Sequence, residues 1–341
     1  MKKNIILTDC EKEEIIDLAI GLEDVLNQSF KIENKICNGK HSRLNNLYRY
    51  LCYFIYPFKY YLKRRKLNYI ICWQQFFGIF YAFYCNLFKT KKENILVICN
   101  FTYKNKKGYI GRIYRKLIKY CIKNEYVDYI HVPSENYAKE CAKEFEISIK
   151  KFIVIPFGIN DMYEKWKDSK LEYKDYTLAI GRSNRDYDFL IRCWKEMPNS
   201  NKLIIICDQY KPKVKLPHNI ILKTDVNGNH QYPYIINASL IIIPIENGKI
   251  CSGDTVLLKA MSFYKPIIVT TPSTLAEMYI VNEKNGICLP KNEGQFCDGV
   301  IKLINDKEKM NKIGNEARKD FLDNYSRINM GKKLGEKLKK L

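Results

Sequence analysis

Short runs of isoleucine, leucine and valine recur along this chain, each followed by a longer helical pattern, and that alternation restricts the fold more than any other feature. Asn4–Thr8, Tyr69–Trp73, Asn94–Asn100, Tyr129–Val132 and Lys151–Ile155 read as strands in the first half. Thr177–Ile180, Lys202–Cys207, Asn219–Leu222, Leu240–Pro244, Pro266–Thr270 and Gly286–Leu289 do so in the second. Helical patterns such as Glu11–Asn27, Ile113–Lys123, Glu135–Glu144, Asp188–Glu196, Thr255–Tyr264 and Glu293–Asn305 lie between them. Strands that are apolar on both sides belong to parallel sheets with helices covering both faces. The expected fold class is α/β, as two Rossmann-like doubly wound domains. The 341 residues match two domains of about 150 residues each. The boundary is expected after the Ile155-Pro156-Phe157 turn, giving domains 1–157 and 158–325. A basic C-terminal helix, 326–341, is free to pack back on the first domain.

Composition removes several classes. Hydrophobic residues at 46% and charged residues at 28% exclude a disordered or collagen-like chain. No apolar run approaches the roughly 20 residues that cross a bilayer. The start, Met1-Lys2-Lys3 followed by an apolar run to Asp9, reads as a first buried strand and not as a signal peptide. A cytoplasmic protein is expected. The 13 cysteines contain no Cys-x-x-Cys, and the histidines are scattered, so neither a zinc site nor a disulfide framework is indicated. Most cysteines sit in apolar runs and should act as small buried hydrophobes.

The 58 lysines and arginines against 37 acidic residues give a formal net charge of +21. The excess is uneven. Arg43–Lys66 interleaves arginine and lysine with tyrosine, phenylalanine and leucine and has no acid. It reads as a basic amphipathic helix or helix pair broken at Pro57. Such a helix either lies on an anionic membrane surface, cations against phosphates, or packs its aromatics on the domain core and leaves its cations in water. No nucleic-acid-binding motif appears.

Two segments carry the chemistry. The strand at Tyr176–Ile180 ends in Gly181-Arg182, and a short loop with Arg185 leads into a helix. Glycine lets a ligand approach the backbone, and guanidiniums can hold phosphate oxygens bidentately. Asp186-Tyr-Asp188 has the form of an Asp-x-Asp metal motif, but its place at a helix start favours capping. The second segment follows the strand ending at Pro244. Ser252, Gly253, Asp254 and Thr255 precede an apolar run, which marks a helix amino end able to seat a phosphate. Lys259, four residues after Thr255, falls on the same helical face.

Together with Val154-Ile-Pro-Phe-Gly158-Ile-Asn160, Pro266-Ile-Ile-Val-Thr270, Glu277 and Asn285-Gly286, these segments resemble the C-terminal half of a GT-B glycosyltransferase, and among those the retaining glycosyltransferase family 4. The resemblance runs from about Val154 to Tyr325 and is vaguer over the first domain. It implies two domains facing a cleft that holds a nucleotide-diphosphate sugar. UDP or GDP would be the carrier, a lipid-linked or growing surface polysaccharide the acceptor, and no metal would be needed. Arg182 and Arg185 match positions where the family places cations on the diphosphate, and Gly181 and Ser252 to Thr255 belong to the same seat, with Lys259 beside it. Where the family carries two glutamates, this chain has Cys251 and Lys259, and a lysine cannot accept hydrogen bonds from ribose. Glu277 or Glu246 could serve ribose or sugar instead. On the acceptor side Trp73 and Gln74 end one strand. Asn100 stands near a position where relatives often have histidine, which makes Asn100 and Glu277 the catalytic candidates. His131, inside a strand, reads as structural. The expected partners are a nucleotide-sugar, a glycan or polyprenyl-linked acceptor and, through Arg43–Lys66, the anionic inner face of the cell membrane. Two alternatives stay open: a non-catalytic relative that binds a partner or membrane, and a nucleotide-sugar epimerase with Asp9, Asp208 and Glu277 as its only acid/base candidates.

Overall fold

The isoleucine-rich runs become the strands of two six-stranded, all-parallel sheets, one in each of two units. The structure, a computed structural model, describes residues 2–36, 43–103, 105–250 and 252–340. The first unit spans Met1–Asn160 with Arg327–Leu341, and the second spans Asp161–Ser326.

In the first unit the chain runs β1 (Lys3–Thr8), α1 (Ile16–Leu26), β2 (Phe30–Asn34), α2 (Arg43–Leu62), β3 (Leu67–Cys72), α3 (Gln75–Leu87), β4 (Ile95–Ile98), α4 (Gly108–Lys123), β5 (Tyr129–Val132), α5 (Glu135–Phe145) and β6 (Phe152–Val154). In the second it runs α6 (Tyr163–Trp166), β7 (Tyr176–Ile180), α7 (Tyr187–Glu196), β8 (Lys202–Ile206), β9 (Ile220–Lys223), α8 (Tyr232–Asn237), β10 (Leu240–Ile243), α9 (Asp254–Ser262), β11 (Ile267–Thr271), α10 (Thr274–Tyr279), β12 (Ile287–Pro290), α11 (Glu293–Asn305) and α12 (Lys307–Asp320). The last helix, α13 (Arg327–Leu338), belongs to the first unit.

Strand order is β2-β1-β3-β4-β5-β6 in the first sheet and β12-β11-β10-β7-β8-β9 in the second. Both are doubly wound: successive crossovers travel to opposite sides of β1 in one unit and of β7 in the other. The direction reverses between β1 and β3, and between β7 and β10. Loops leaving the carboxyl ends of such strand pairs diverge, and the gap between them is where doubly wound sheets bind ligands.

Period-two alternation decides which helices cover which face. In the first unit Ile6, Ile71 and Val97 face α1 and α13, whose Leu18, Leu22, Met330 and Leu334 complete that layer. Leu7, Ile70, Cys72 and Ile98 point the other way, towards Tyr53 and Tyr61 of α2 and Phe77 and Tyr81 of α3. In the second unit Leu203, Ile205, Leu240 and Ile242 pack against Phe189 and Leu190 of α7, Phe296 and Val300 of α11 and Ile313 of α12. The cysteines follow the hydrophobes. Cys72, Cys99, Cys121 and Cys193 are buried free thiols, and burial pushes the Cys121 thiol up to about 12.

Four features depart from the sequence pattern. β2 is an edge strand, Phe30-Lys-Ile-Glu-Asn34, whose mixed polarity hides it. α3 is apolar nearly all round because the sheet and its neighbouring helices enclose it, so it shows no amphipathic period. α4 starts at Gly108, before the expected Ile113, because its first turns expose Tyr109 and Ile110. α2 is not broken at Pro57: it is continuous from Arg43 to Leu62. The ring removes one helical hydrogen bond, but Phe54 and Phe58 on either side pack on Tyr84 of α3, and the Tyr84 hydroxyl donates to the Phe54 carbonyl at 2.8 Å.

Candidate functional site

The loops after β7 and β10 leave adjacent strands at the point where the second sheet reverses. Arg185 joins them. Its backbone bridges to Ile245, the first residue after Pro244. Its guanidinium donates to the carbonyls of Ile180 at 3.3 Å and Ser183 at 2.8 Å. That places the guanidinium between two glycines. A β-carbon on Gly253 would lie 2.7 Å from one of its nitrogens, and one on Gly181 would lie 2.9 Å away. Both glycines also have left-handed backbones, with φ of 109° and 134°, which strains any side chain there, and a β-carbon at either would push the guanidinium aside. Gly253 is the N-cap of α9 and supplies no side-chain cap. The Arg185 cation therefore stands at the positive end of a helix. Among the described residues no carboxylate pairs with it, and burial lowers its pKa. Asp254, in the first turn of α9, attracts the guanidinium electrostatically but makes no ion pair with it, so two like-signed fields converge on a spot that can take an anion.

Two side chains that gave no signal in the sequence, Asn184 and Lys291, help hold the two loops together. Asn184 adopts a left-handed backbone (φ 57°) and clasps the loop after β10: its Oδ1 accepts from the Asn247 amide at 2.7 Å and its Nδ2 donates to the Asn247 carbonyl at 3.0 Å. Lys291, just past β12, pairs with Asp186 at 2.6 Å and reaches the Glu246 carbonyl at 3.4 Å. Ser252 donates to the Ser183 carbonyl at 3.3 Å, linking the two loops again. Asp254 accepts from the Thr255 amide, and the Thr255 side chain is exposed. Gly248 packs against the Pro272 carbonyl and hands its own carbonyl to Thr274, so the loop carrying Glu246 docks on the start of α10. Glu246 and Glu277 are both exposed.

Arg182 and Lys259 lie elsewhere. The Arg182 guanidinium turns from Arg185's side of the loop to Asp208, at 2.7 Å, and Asn227, at 2.7 Å, beyond β8. The ammonium of Lys259 sits 4.9 Å over the ring of Tyr232, which stacks on Trp166. Burial lowers its pKa, and no carboxylate pairs with it among the described residues. Cys251 lies outside the described residues. Asp186 caps α7, accepting from the Phe189 amide at 3.0 Å, while Asp188 accepts from the Tyr210 hydroxyl and pairs with Lys213. Both carboxylates of the Asp-x-Asp sequence are thus engaged in local contacts, and no cluster of three metal-ligating groups occurs among the described residues.

The first unit has its own reversal, between β1 and β3, and polar groups gather there. Asp9, after β1, accepts at one oxygen from the Tyr53 hydroxyl at 2.7 Å and from Gln74 Nε2 at 2.7 Å. Gln74 also caps α3, its Oε1 accepting from the Phe76 amide. Gln75 and Thr102 exchange two hydrogen bonds and so join the ends of β3 and β4. Trp73 packs beside Phe157 under the guanidinium of Arg327. Asn100 has a left-handed backbone (φ 52°), and its amide donates to Nδ1 of His131 at 3.1 Å. The other ring nitrogen of His131 lies 2.9 Å from the Ile155 carbonyl, so it carries the proton. Full burial pushes His131 down to about 4, and the ring is neutral at pH 7. His131 is thus a brace between β4, β5 and β6.

Residues 174–306 match the family model described as Glycosyl transferases group 1. No curated protein matches the sequence. Among solved structures, HepE of Anabaena in complex with UDP superposes with a TM-score of 0.65 at 11% identity, covering 99% of this chain and 100% of that one. A glycosyltransferase of Rickettsia africae gives 0.66 at 12% identity, with 100% of both chains covered. WaaG, a glycosyltransferase involved in lipopolysaccharide biosynthesis, gives 0.60 at 14% identity over 97% of this chain and 98% of that one. The architecture is the GT-B fold.

Proposed function

We propose that this chain is a glycosyltransferase that moves a sugar from a UDP- or GDP-linked donor to a lipid-linked or growing surface-polysaccharide acceptor, without a metal and with retention at the sugar carbon. The bond from that carbon to the diphosphate breaks, a bond to an acceptor hydroxyl forms, and the products are a nucleoside diphosphate, the glycosylated acceptor and a proton. The negative charge that grows on the departing diphosphate is what the transition state adds, and preorganised positive groups there lower the barrier. One observation carries this reading: the unpaired Arg185 guanidinium lodged between Gly181 and Gly253 at the amino end of α9. Arg182 is the second contact. Its ion pair with Asp208 is exposed and is worth at most about 1 kcal/mol, so it exchanges for a phosphate at little cost. Trp73, Gln74 and Asn100 stand on the acceptor side, and Glu246 or Glu277 faces ribose or sugar. Catalysis takes place at the inner face of the cell membrane, which Arg43–Lys66 contacts.

Calorimetry with UDP and GDP tests the seat. Arg185→Ala should weaken the preferred nucleotide by at least tenfold, as expected for removing a charged hydrogen-bonding partner. Arg182→Ala should cost less. Unchanged affinity in Arg185→Ala would remove the seat.

A specific observation also favours a second reading, a non-catalytic relative. Lys259 directs its ammonium to Tyr232 and offers no acceptor for ribose hydroxyls. No heat with either nucleotide, alongside a folded protein, would select that reading.

A further inference from the structure

Three helices on one face of the first unit, α2, α3 and α4, come from the most one-sidedly charged parts of the chain. Residues 43–66, 73–92 and 99–124 hold eighteen lysines and arginines and not one aspartate or glutamate. The helices enclose a slot of about 440 Å³, within the usual range for small-molecule sites. Its walls are mostly aromatic and aliphatic, Phe76 and Phe80 of α3 and Tyr114 and Leu117 of α4, with Gln74 and Gln75 at the start of α3. Its rim is cationic. Arg49 of α2 lines it with an Nε that is shut off from solvent and has no hydrogen-bond partner, and its guanidinium lies 5.8 Å from the Tyr50 ring. Lys106, in the loop before α4, stands 4.5 Å over the ring of Tyr114. Neither cation has a carboxylate partner among the described residues. No carboxylate lines the slot, and Asp9, behind Tyr53 and Gln74, already accepts two hydrogen bonds from them.

The slot opens onto apolar surface. Leu47 on α2 and Ile110 and Ile113 on α4 are 58%, 76% and 50% exposed. They share helical faces, at spacings of three or four, with the lining residues Tyr50, Tyr114 and Leu117. Exposed apolar residues grouped round a cationic pocket fit a ligand with an anionic head and a hydrocarbon tail. Of the polar groups that also line the slot, Gln74 and Tyr53 are bonded to Asp9 and Gln75 to Thr102, which leaves few polar partners for a sugar or a nucleobase.

We propose that the slot between α2, α3 and α4 binds the phosphate end of a lipid-linked acceptor, Arg49 and Lys106 holding the phosphate oxygens and the aromatic walls holding the first carbons of the chain. The purpose rests on the glycosyl-transfer reading above, but the binding does not need a nucleotide. Full-length protein is titrated with farnesyl phosphate, farnesol, inorganic phosphate and dihexanoyl phosphatidic acid, by calorimetry below their micelle concentrations. Farnesyl phosphate should bind at least tenfold tighter than the other three. Arg49→Ala and Lys106→Ala should each weaken it about tenfold with an unchanged thermal midpoint. Should either variant fold poorly, a diazirine analogue of farnesyl phosphate on the wild-type protein should label peptides of α2 and α4. Equal binding of farnesol, equal binding of the phosphatidic acid, unchanged affinity in both variants, labelling elsewhere, or equal competition by an oligothymidylate overturns the proposal. The two readings fail separately: loss of lipid-phosphate binding with UDP or GDP binding intact sinks the slot alone, and the converse sinks the donor seat alone.

Discussion

Arg185 shows how much a single side chain can depend on residues that have none. Its guanidinium occupies the space that β-carbons at Gly181 and Gly253 would fill, at 2.9 and 2.7 Å. Gly253→Ala should therefore displace the guanidinium and strain a left-handed backbone at once. We expect it to reduce nucleotide affinity nearly as much as Arg185→Ala, read by calorimetry, with stability lowered by about 1 kcal/mol. His131 gives a second residue-scale prediction. Folded, it titrates near 4; unfolded, near 6.5. The unfolded chain takes up the proton first, so the contribution of the neutral ring is complete above about pH 6.5 and is lost as pH falls towards 4. At pH 5 the loss from this group is about 2 kcal/mol. Urea unfolding at pH 7 and pH 5 should show a drop larger by that amount in wild type than in His131→Gln; an equal drop would mean that the ring is not the group responsible.

Among the elements, α13 is the one whose placement is most exposed to a single change. It returns to the first unit and lies against α1 at a distance only glycine allows. A β-carbon on Gly331 would stand 2.4 Å from the Leu18 carbonyl oxygen, and one on Gly21 would stand 2.1 Å from that of Ile328. Gly331→Val should force the two helices apart and expose Met330 and Leu334, costing about 1–3 kcal/mol in chemical denaturation. Nucleotide binding, which the proposed function assigns to residues of the second unit, should survive in the native fraction. α2 makes the opposite point. Its Tyr53, Tyr60 and Tyr61 are buried while Leu47, Leu51 and Ile55 are exposed, so one helix serves core and surface with different residues.

For the whole molecule the unevenness of charge matters more than its sum. The acid-free segments that build α2, α3 and α4 hold most of the excess cations, whereas the second unit pairs many of its own, as in Arg192 with Glu293 and Arg318 with Asp161. Association with vesicles rich in anionic lipid should accordingly weaken steeply as salt rises from about 0.05 to 0.5 M. The charge-reversed variant Lys63→Glu/Arg65→Glu, altered at two exposed positions, should bind them less. Cosedimentation reads both, and salt-independent binding would point to the exposed apolar residues alone. Among the described residues no helix is long and apolar enough to cross a membrane.

Class of fold, most strands and the two loops that meet at the reversal of the second sheet were legible in the amino-acid order, because strand burial and helix capping are local: Tyr176–Ile180, Gly181, Ser252 and Asp254 each announce themselves within a few residues. Neighbourhood was not legible. That β7 lies beside β10, that Arg185 reaches the α9 end while Arg182 turns to Asp208, and that Lys259 leaves the seat for Tyr232 all depend on chain segments tens of residues away. Asn184 and Lys291 gave no sign of their roles for the same reason, since a hydrogen bond across a loop has no sequence period. Local preference is written one helical turn at a time, whereas a side chain's partner is chosen by packing, and packing exists only once the sheets have closed.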